Sequence, residues 1–171
     1  MRLIGLAVVL SVSVLTPLTV KAQPAPNAPP ADRADTTLAF FDTVEKVSPS
    51  DLERYERITL FQGMTLYVAR VPAIAFRTSE IVSVIVERGG SDYRATIRIA
   101  PDAAQRLHRF TERNIGKLMD VRFDGERLST LLIVAPVPSG LVAFGVGNSE
   151  ARINKVFAPL GPKLSWKGEE R

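Results

Sequence analysis

Four cations, Arg106, Arg109, Arg113 and Lys117, recur at intervals of three and four residues. On a helix that spacing gathers them within an arc of roughly 80°. Cations so grouped suit an anion: an acidic stretch of another polypeptide, or an anionic lipid surface touched peripherally. The competing explanation is an ordinary solvated helix face. Aromatic residues are sparse along the stripe, so recognition of single-stranded nucleic acid by stacking is not expected.

Other residues with chemical potential read as structural. His108 is the single histidine of the chain and lies at the edge of the apolar side of the same helical pattern. As a general base it would need a nucleophile and an orienting acid beside it. No Gly-x-Ser-x-Gly occurs, and a half-exposed, non-catalytic histidine is the expectation. Zero cysteines exclude disulfides, thiolate zinc sites, iron–sulfur clusters and cysteine nucleophiles. Neither a metal nor any other cofactor is expected. Gly145-Val146-Gly147 resembles a dinucleotide loop, but Glu150 stands where the third glycine belongs. An acid at that helix start repels a pyrophosphate, so the segment reads as a turn. Glu87, Asp92, Asp124 and Glu126 sit in or beside turns. Asp120 interrupts an apolar strand start; a solvent-facing strand position is expected for it, with a glycosidase-like acid pair as the alternative.

The stripe needs a helix, and the sequence supplies one. Pro101-Asp102 opens it, Ala104, Leu107, Thr111, Ile115 and Leu118 give its apolar side, and Gly116 closes it after about Ile115. Before it, Ile81 to Val86 is β-branched, and Tyr93 to Ile99 alternates apolar residues with Arg94, Thr96 and Arg98. Gly89-Gly90-Ser91-Asp92 joins the two as a hairpin. After it, Met119 to Phe123 and Leu128 to Val134 are strands joined through Asp124-Gly125. Pro136, Pro138 and Gly140 make an irregular crossing to a strand at Leu141 to Val146. A last helix starts at Asn148-Ser149-Glu150 and stops at Gly161-Pro162. The order β-β-α-β-β-β-α, with tight turns, predicts an α+β fold: an antiparallel sheet with helices packed on one face.

The flanks are less regular. Met1-Arg2, the uncharged run from Leu3 to Val20 and the small–x–small pattern Val20-Lys21-Ala22 predict a signal peptide over residues 1–22. A retained membrane anchor is the alternative, of marginal length for spanning. Cleavage takes 22 of the 171 residues and two cations, Arg2 and Lys21, leaving 149 residues and lowering the formal charge from +4 to about +2. Residues 23–37 hold four prolines and almost no large apolar side chain, as in a flexible spacer. Residues 38–77 form a poorly assigned part of the domain: Ser50 to Glu53 reads as a capped helix start, Thr65 to Ala69 as a strand, and the stretch from Pro72 to Thr78 as a loop. Residues 161–171 read as a C-terminal tail.

The run Phe110-Thr111-Glu112-Arg113-Asn114-Ile115-Gly116-Lys117 resembles the first periplasmic domain of SecD, the protein-export accessory subunit, and specifically its head subdomain. That family has a helix ending Thr-x-x-Asn-x-Gly-Lys, then a strand of the form Ala-Ile-Val-Leu-Asp-Gly. Thr111, Asn114, Gly116 and Lys117 match the first, and Val121, Phe123, Asp124 and Gly125 the second. Leu128, Ser129, Pro136 and Gly140 keep the spacing that follows; Glu80-Ile81 and Pro101 match upstream. The likeness spans residues 78–160, roughly half of the chain. Asp120 stands where the family usually has alanine and Leu131 where it usually has proline. Gly145 and Gly147 straddle its glycine by one residue. No transmembrane segment follows residue 20, so the sequence reads as a detached head with its own export signal.

The resemblance implies a binding role and no active site, since the family's head contacts the emerging polypeptide. The expectation is therefore an exported, non-enzymatic protein-binding domain, periplasmic or secreted after cleavage. Its partners would be polypeptides, among them translocon components or exported chains. A periplasmic enzyme using His108 or the carboxylates around Asp120 and Asp124 is the first alternative, and a small-ligand-binding envelope module the second.

Overall fold

The structure, a computed structural model, describes residues 11–12, 37–60 and 63–167. The expected signal peptide and spacer lie outside the described residues, apart from Ser11, Val12 and Thr37. The strands are β1 (Ser11–Val12), β2 (Thr37–Val44), β3 (Tyr55–Thr59), β4 (Thr65–Ala69), β5 (Ile74–Arg77), β6 (Ile81–Gly89), β7 (Asp92–Ile99), β8 (Leu118–Phe123), β9 (Glu126–Leu132), β10 (Leu141–Gly147) and β11 (Leu164–Lys167). The helices are α1 (Pro101–Arg113) and α2 (Glu150–Phe157). From β6 to α2 the order is the expected β-β-α-β-β-β-α, in an α+β fold.

The strands divide between two sheets, ordered β1-β9-β8-β2-β4-β3, with β5 also on β2, and β10-β7-β6-β11. Two-residue turns fix the registers locally. Asp124 (φ 49) and Gly125 (φ 78) both take the left-handed conformation that such a hairpin requires, and Arg122 comes to face Arg127 across β8 and β9. Apolar residues from both sheets and both helices, including Leu38, Phe76, Val84, Leu107, Phe123 and Phe157, form one buried core.

Three expectations about the flanking segments are corrected. The stretch read as a loop after Pro72 contains β5, because Ile74–Arg77 pairs with Thr37–Phe40, a partner some thirty-five residues away that no local pattern reveals. Residues 49–54 form a 3₁₀ helix with Ser48 at its N-cap and no side-chain capping bond, so Ser50 is no cap. The expected tail contains β11, which runs parallel to β6. Its four residues are too short to read as a strand, yet Trp166 packs edge-on against Tyr93 at 5.2 Å between ring centres.

Helix α1 begins on Pro101 and buries Ala103, Ala104, Leu107 and Thr111. It stops at Arg113, sooner than its periodicity suggested. The Asn114 side-chain amide donates to the Phe110 carbonyl at 2.7 Å. Gly116 (φ 83) then turns the chain so that its N–H reaches the Ile133 carbonyl at 2.7 Å. The buried Thr111 hydroxyl accepts from the Val137 N–H at 2.9 Å and donates to the Leu107 carbonyl at 2.9 Å. Thr111→Val keeps the shape but leaves the buried Val137 N–H without an acceptor. It should cost about 1–3 kcal/mol in urea unfolding; a loss within error would mean that water replaces the hydroxyl.

Asp120 is the largest departure from the sequence reading. It is 0% exposed instead of facing solvent. Its two carboxylate oxygens accept from Arg122 Nε at 2.8 Å and Arg127 Nε at 2.6 Å. Arg127 also donates to the Thr130 hydroxyl at 2.8 Å, and Arg122 reaches Glu56 at 2.9 Å while its guanidinium lies 5.0 Å from the centre of the Phe41 ring. Burial alone would lower the pKa of Arg122. Hydrogen bonding and attraction to Asp120, then to Glu56, outweigh it and raise the pKa, so the cation is held charged.

Candidate functional site

The outer side of α1 forms one wall of an open cleft of about 520 Å³, lined by Asp42, Ala73, Ile74, Arg106, Arg109, Phe110, Arg113 and Asn114. The opposite wall is Asp42 of β2 with Ala73 and Ile74 at the start of β5. The strand missed in the sequence therefore supplies half of the site. The alternation of Ile74 and Phe76 around Ala75 was the available signal, too short to outweigh Pro72. Phe110 forms part of the floor, held against Phe40 at 6.3 Å between ring centres.

The four cations of the stripe are not equivalent. Arg106 is tied to Glu80 by an ion pair and lies over the Phe76 ring at 5.2 Å. Arg109 and Arg113 are exposed, line the cleft and have no ion-pair partner among the described residues. Lys117 lies beyond the end of α1 and does not line the cleft. Free cations beside an apolar floor can hold an extended segment that combines acidic and apolar side chains.

The other singled-out residues serve the frame. Thr111 and Asn114 anchor the end of α1, Gly116 turns the chain after it, and Asp124-Gly125 makes the β8–β9 turn. Pro136 and Gly140 lie in the crossing from β9 to β10, where the Gly140 carbonyl accepts from the Ile99 N–H at 2.8 Å. The His108 side chain is half-buried and has no hydrogen bond or ion pair among the described residues. Both oxygens of Asp120 are engaged by arginines. No group of three or more His, Asp or Glu side chains that could hold a metal is gathered among the described residues, and no helix there is long and apolar enough to cross a membrane.

A second cleft, of about 470 Å³, lies between the β8–β9 turn and α2, with Asp124, Glu126, Arg152 and Lys155 among its walls. Arg152 is committed there: it pairs with Glu126 at 3.3 Å and donates to the carbonyls of Val146 and Arg127. Mixed charge and a braced arginine leave that cleft without a preferred ligand.

No family model matches the sequence, and no curated protein matches it significantly. The fold does have a counterpart. A solved structure of SecDF, described as a membrane component that enhances protein export, superposes with a TM-score of 0.51 at 15% identity, over 78% of this chain and 69% of that one. The fold is SecD-like. A second SecDF structure, in its super-membrane-facing form, matches at a TM-score of 0.48 and 14% identity, over 68% of this chain and 17% of that one. At these identities the SecD-like likeness concerns the fold alone, and the use made of it must be argued from this chain's own residues.

Proposed function

We propose that this chain is an exported, non-enzymatic domain related to protein export that binds extended polypeptide in the cleft beside α1. One observation carries the reading: Arg109 and Arg113 are exposed, unpaired among the described residues, and set beside Phe110 and Ile74 in one open cleft. The SecD-like fold supports it, as does SecDF's description as enhancing protein export. The family head the sequence resembles is the comparison that favours a binding role, with translocon components or exported chains as partners. The uncharged run from Leu3 to Val20 favours export to the periplasm or beyond, with the retained anchor as the rival.

A photoreactive amino acid at Ala73, which lines the cleft without carrying charge, tests this in living cells. Capture of newly exported polypeptides or translocon subunits is expected. Capture of nothing, or of one unrelated envelope protein, overturns the reading. In the same assay Arg109→Glu with Arg113→Glu should lower capture about ten-fold, as two exposed pairs worth up to about 1 kcal/mol each become repulsions. The melting temperature should hold, and added salt should weaken capture by the native chain. Unchanged capture would remove the two arginines from the site.

A further inference from the structure

The edge of β9 is the second surface with a visible use. Ile133, just past the strand, directs both backbone groups at its neighbour: its N–H donates to the Lys117 carbonyl at 3.0 Å and its carbonyl accepts from Gly116. Backbone direction alternates along an antiparallel strand. Leu131 therefore faces β8, opposite Met119, while Thr130 and Leu132 turn their N–H and carbonyl groups outward. That outward edge is taken by β1, antiparallel, with Ser11 opposite Leu131 and Val12 opposite Thr130. β1 also touches β10, so it lies where the two sheets approach each other. Exposed edges are usually guarded by lysine, proline or an inward charge, whereas Thr130 to Val134 has no charge and no proline.

We propose that this edge is a strand-addition site for an extended, uncharged, apolar polypeptide segment. In this structure Ser11 and Val12, two residues of the chain's uncharged stretch, supply the occupant. Main-chain bonds to Thr130 and Leu132 give such a site its affinity, and the alternate apolar side chains its selectivity. It uses no residue of the basic cleft and stands without it. Removal of residues 1–22 vacates the edge, and a similar segment of another polypeptide takes the place of β1.

Amide hydrogen exchange on the purified full chain tests this. Val12→Pro removes the N–H that β1 directs at β9. Exchange at Thr130 should speed by about ten-fold or more, while Ile133, bonded to Lys117, stays as it was. A nine-residue peptide of the sequence of residues 8–16, added to the Val12→Pro chain, should restore protection of Thr130. The same peptide N-methylated at its Val12 position should not. Two results overturn the proposal. One is unchanged exchange at Thr130 in the Val12→Pro chain; the other is equal protection by the methylated peptide, which would mean apolar adhesion without strand addition. Neither result touches crosslinking from Ala73 or its dependence on Arg109 and Arg113, so the two sites fail separately.

Discussion

Asp120→Ala should destabilise the domain by about 3–5 kcal/mol, the effect expected when one partner of a buried ion pair is removed and the other is stranded. Two arginines are stranded here. Their side chains are only 18% and 25% exposed, and each directs its Nε at the lost carboxylate. Arg122 keeps Glu56 and the Phe41 ring, but Arg127 keeps little beyond the Thr130 hydroxyl. A fall in melting temperature of roughly 10 °C or more is the matching thermal readout. The triple change Asp120→Leu, Arg122→Met and Arg127→Leu should recover most of the loss, because an apolar replacement of comparable volume leaves no uncompensated charge. A single-variant loss below about 1 kcal/mol would show that both guanidinium groups reach water once the carboxylate is gone.

Gly140→Ala should cost about 2–4 kcal/mol, from two additive sources. Its φ of 66° is one that side-chain-bearing residues rarely adopt, and a Cβ there would lie 2.7 Å from Ala104 Cβ and 3.1 Å from the Ile99 carbonyl oxygen. Gly90→Ala separates the sources, since φ is 73° there and nothing lies within 4 Å; it should cost only about 1 kcal/mol. Adding Ala104→Gly to Gly140→Ala removes the nearer clash, so the pair should couple favourably in a double-mutant cycle of urea midpoints. Strict additivity would mean that the strand crossing shifts away from α1.

The parts of the fold legible in the sequence are those whose signals are local. The β6–β7 hairpin shows in its alternation and glycine turn, α1 in its proline start and apolar periodicity, and β8–β9 in Asp124-Gly125. What stayed hidden depends on distant partners. β5 exists because β2 pairs with it, and β11 because β6 does. Asp120 looked solvent-facing because an isolated carboxylate in a strand belongs in water. The tight turn at Asp124-Gly125 already implied that Arg122 and Arg127 would face each other next to it, and that was the missed clue. In the cleft, the helical spacing revealed the stripe but not its ion pairing, so Arg106 and Lys117 looked equal to Arg109 and Arg113. Glu80, which holds Arg106, is twenty-six residues away.

The parallel pairing of β11 with β6 has a consequence for the order in which this chain can finish folding. Val84 waits for Leu164, eighty residues downstream, and until then one side of β6 has no neighbour. β2 waits just as long for β8, with Leu38 opposite Phe123. Each closure joins points far apart along the chain, which makes folding slow. A polypeptide threaded N-terminus first through a narrow passage would deliver β11 after every other strand described here, so β6 would keep one open side until then.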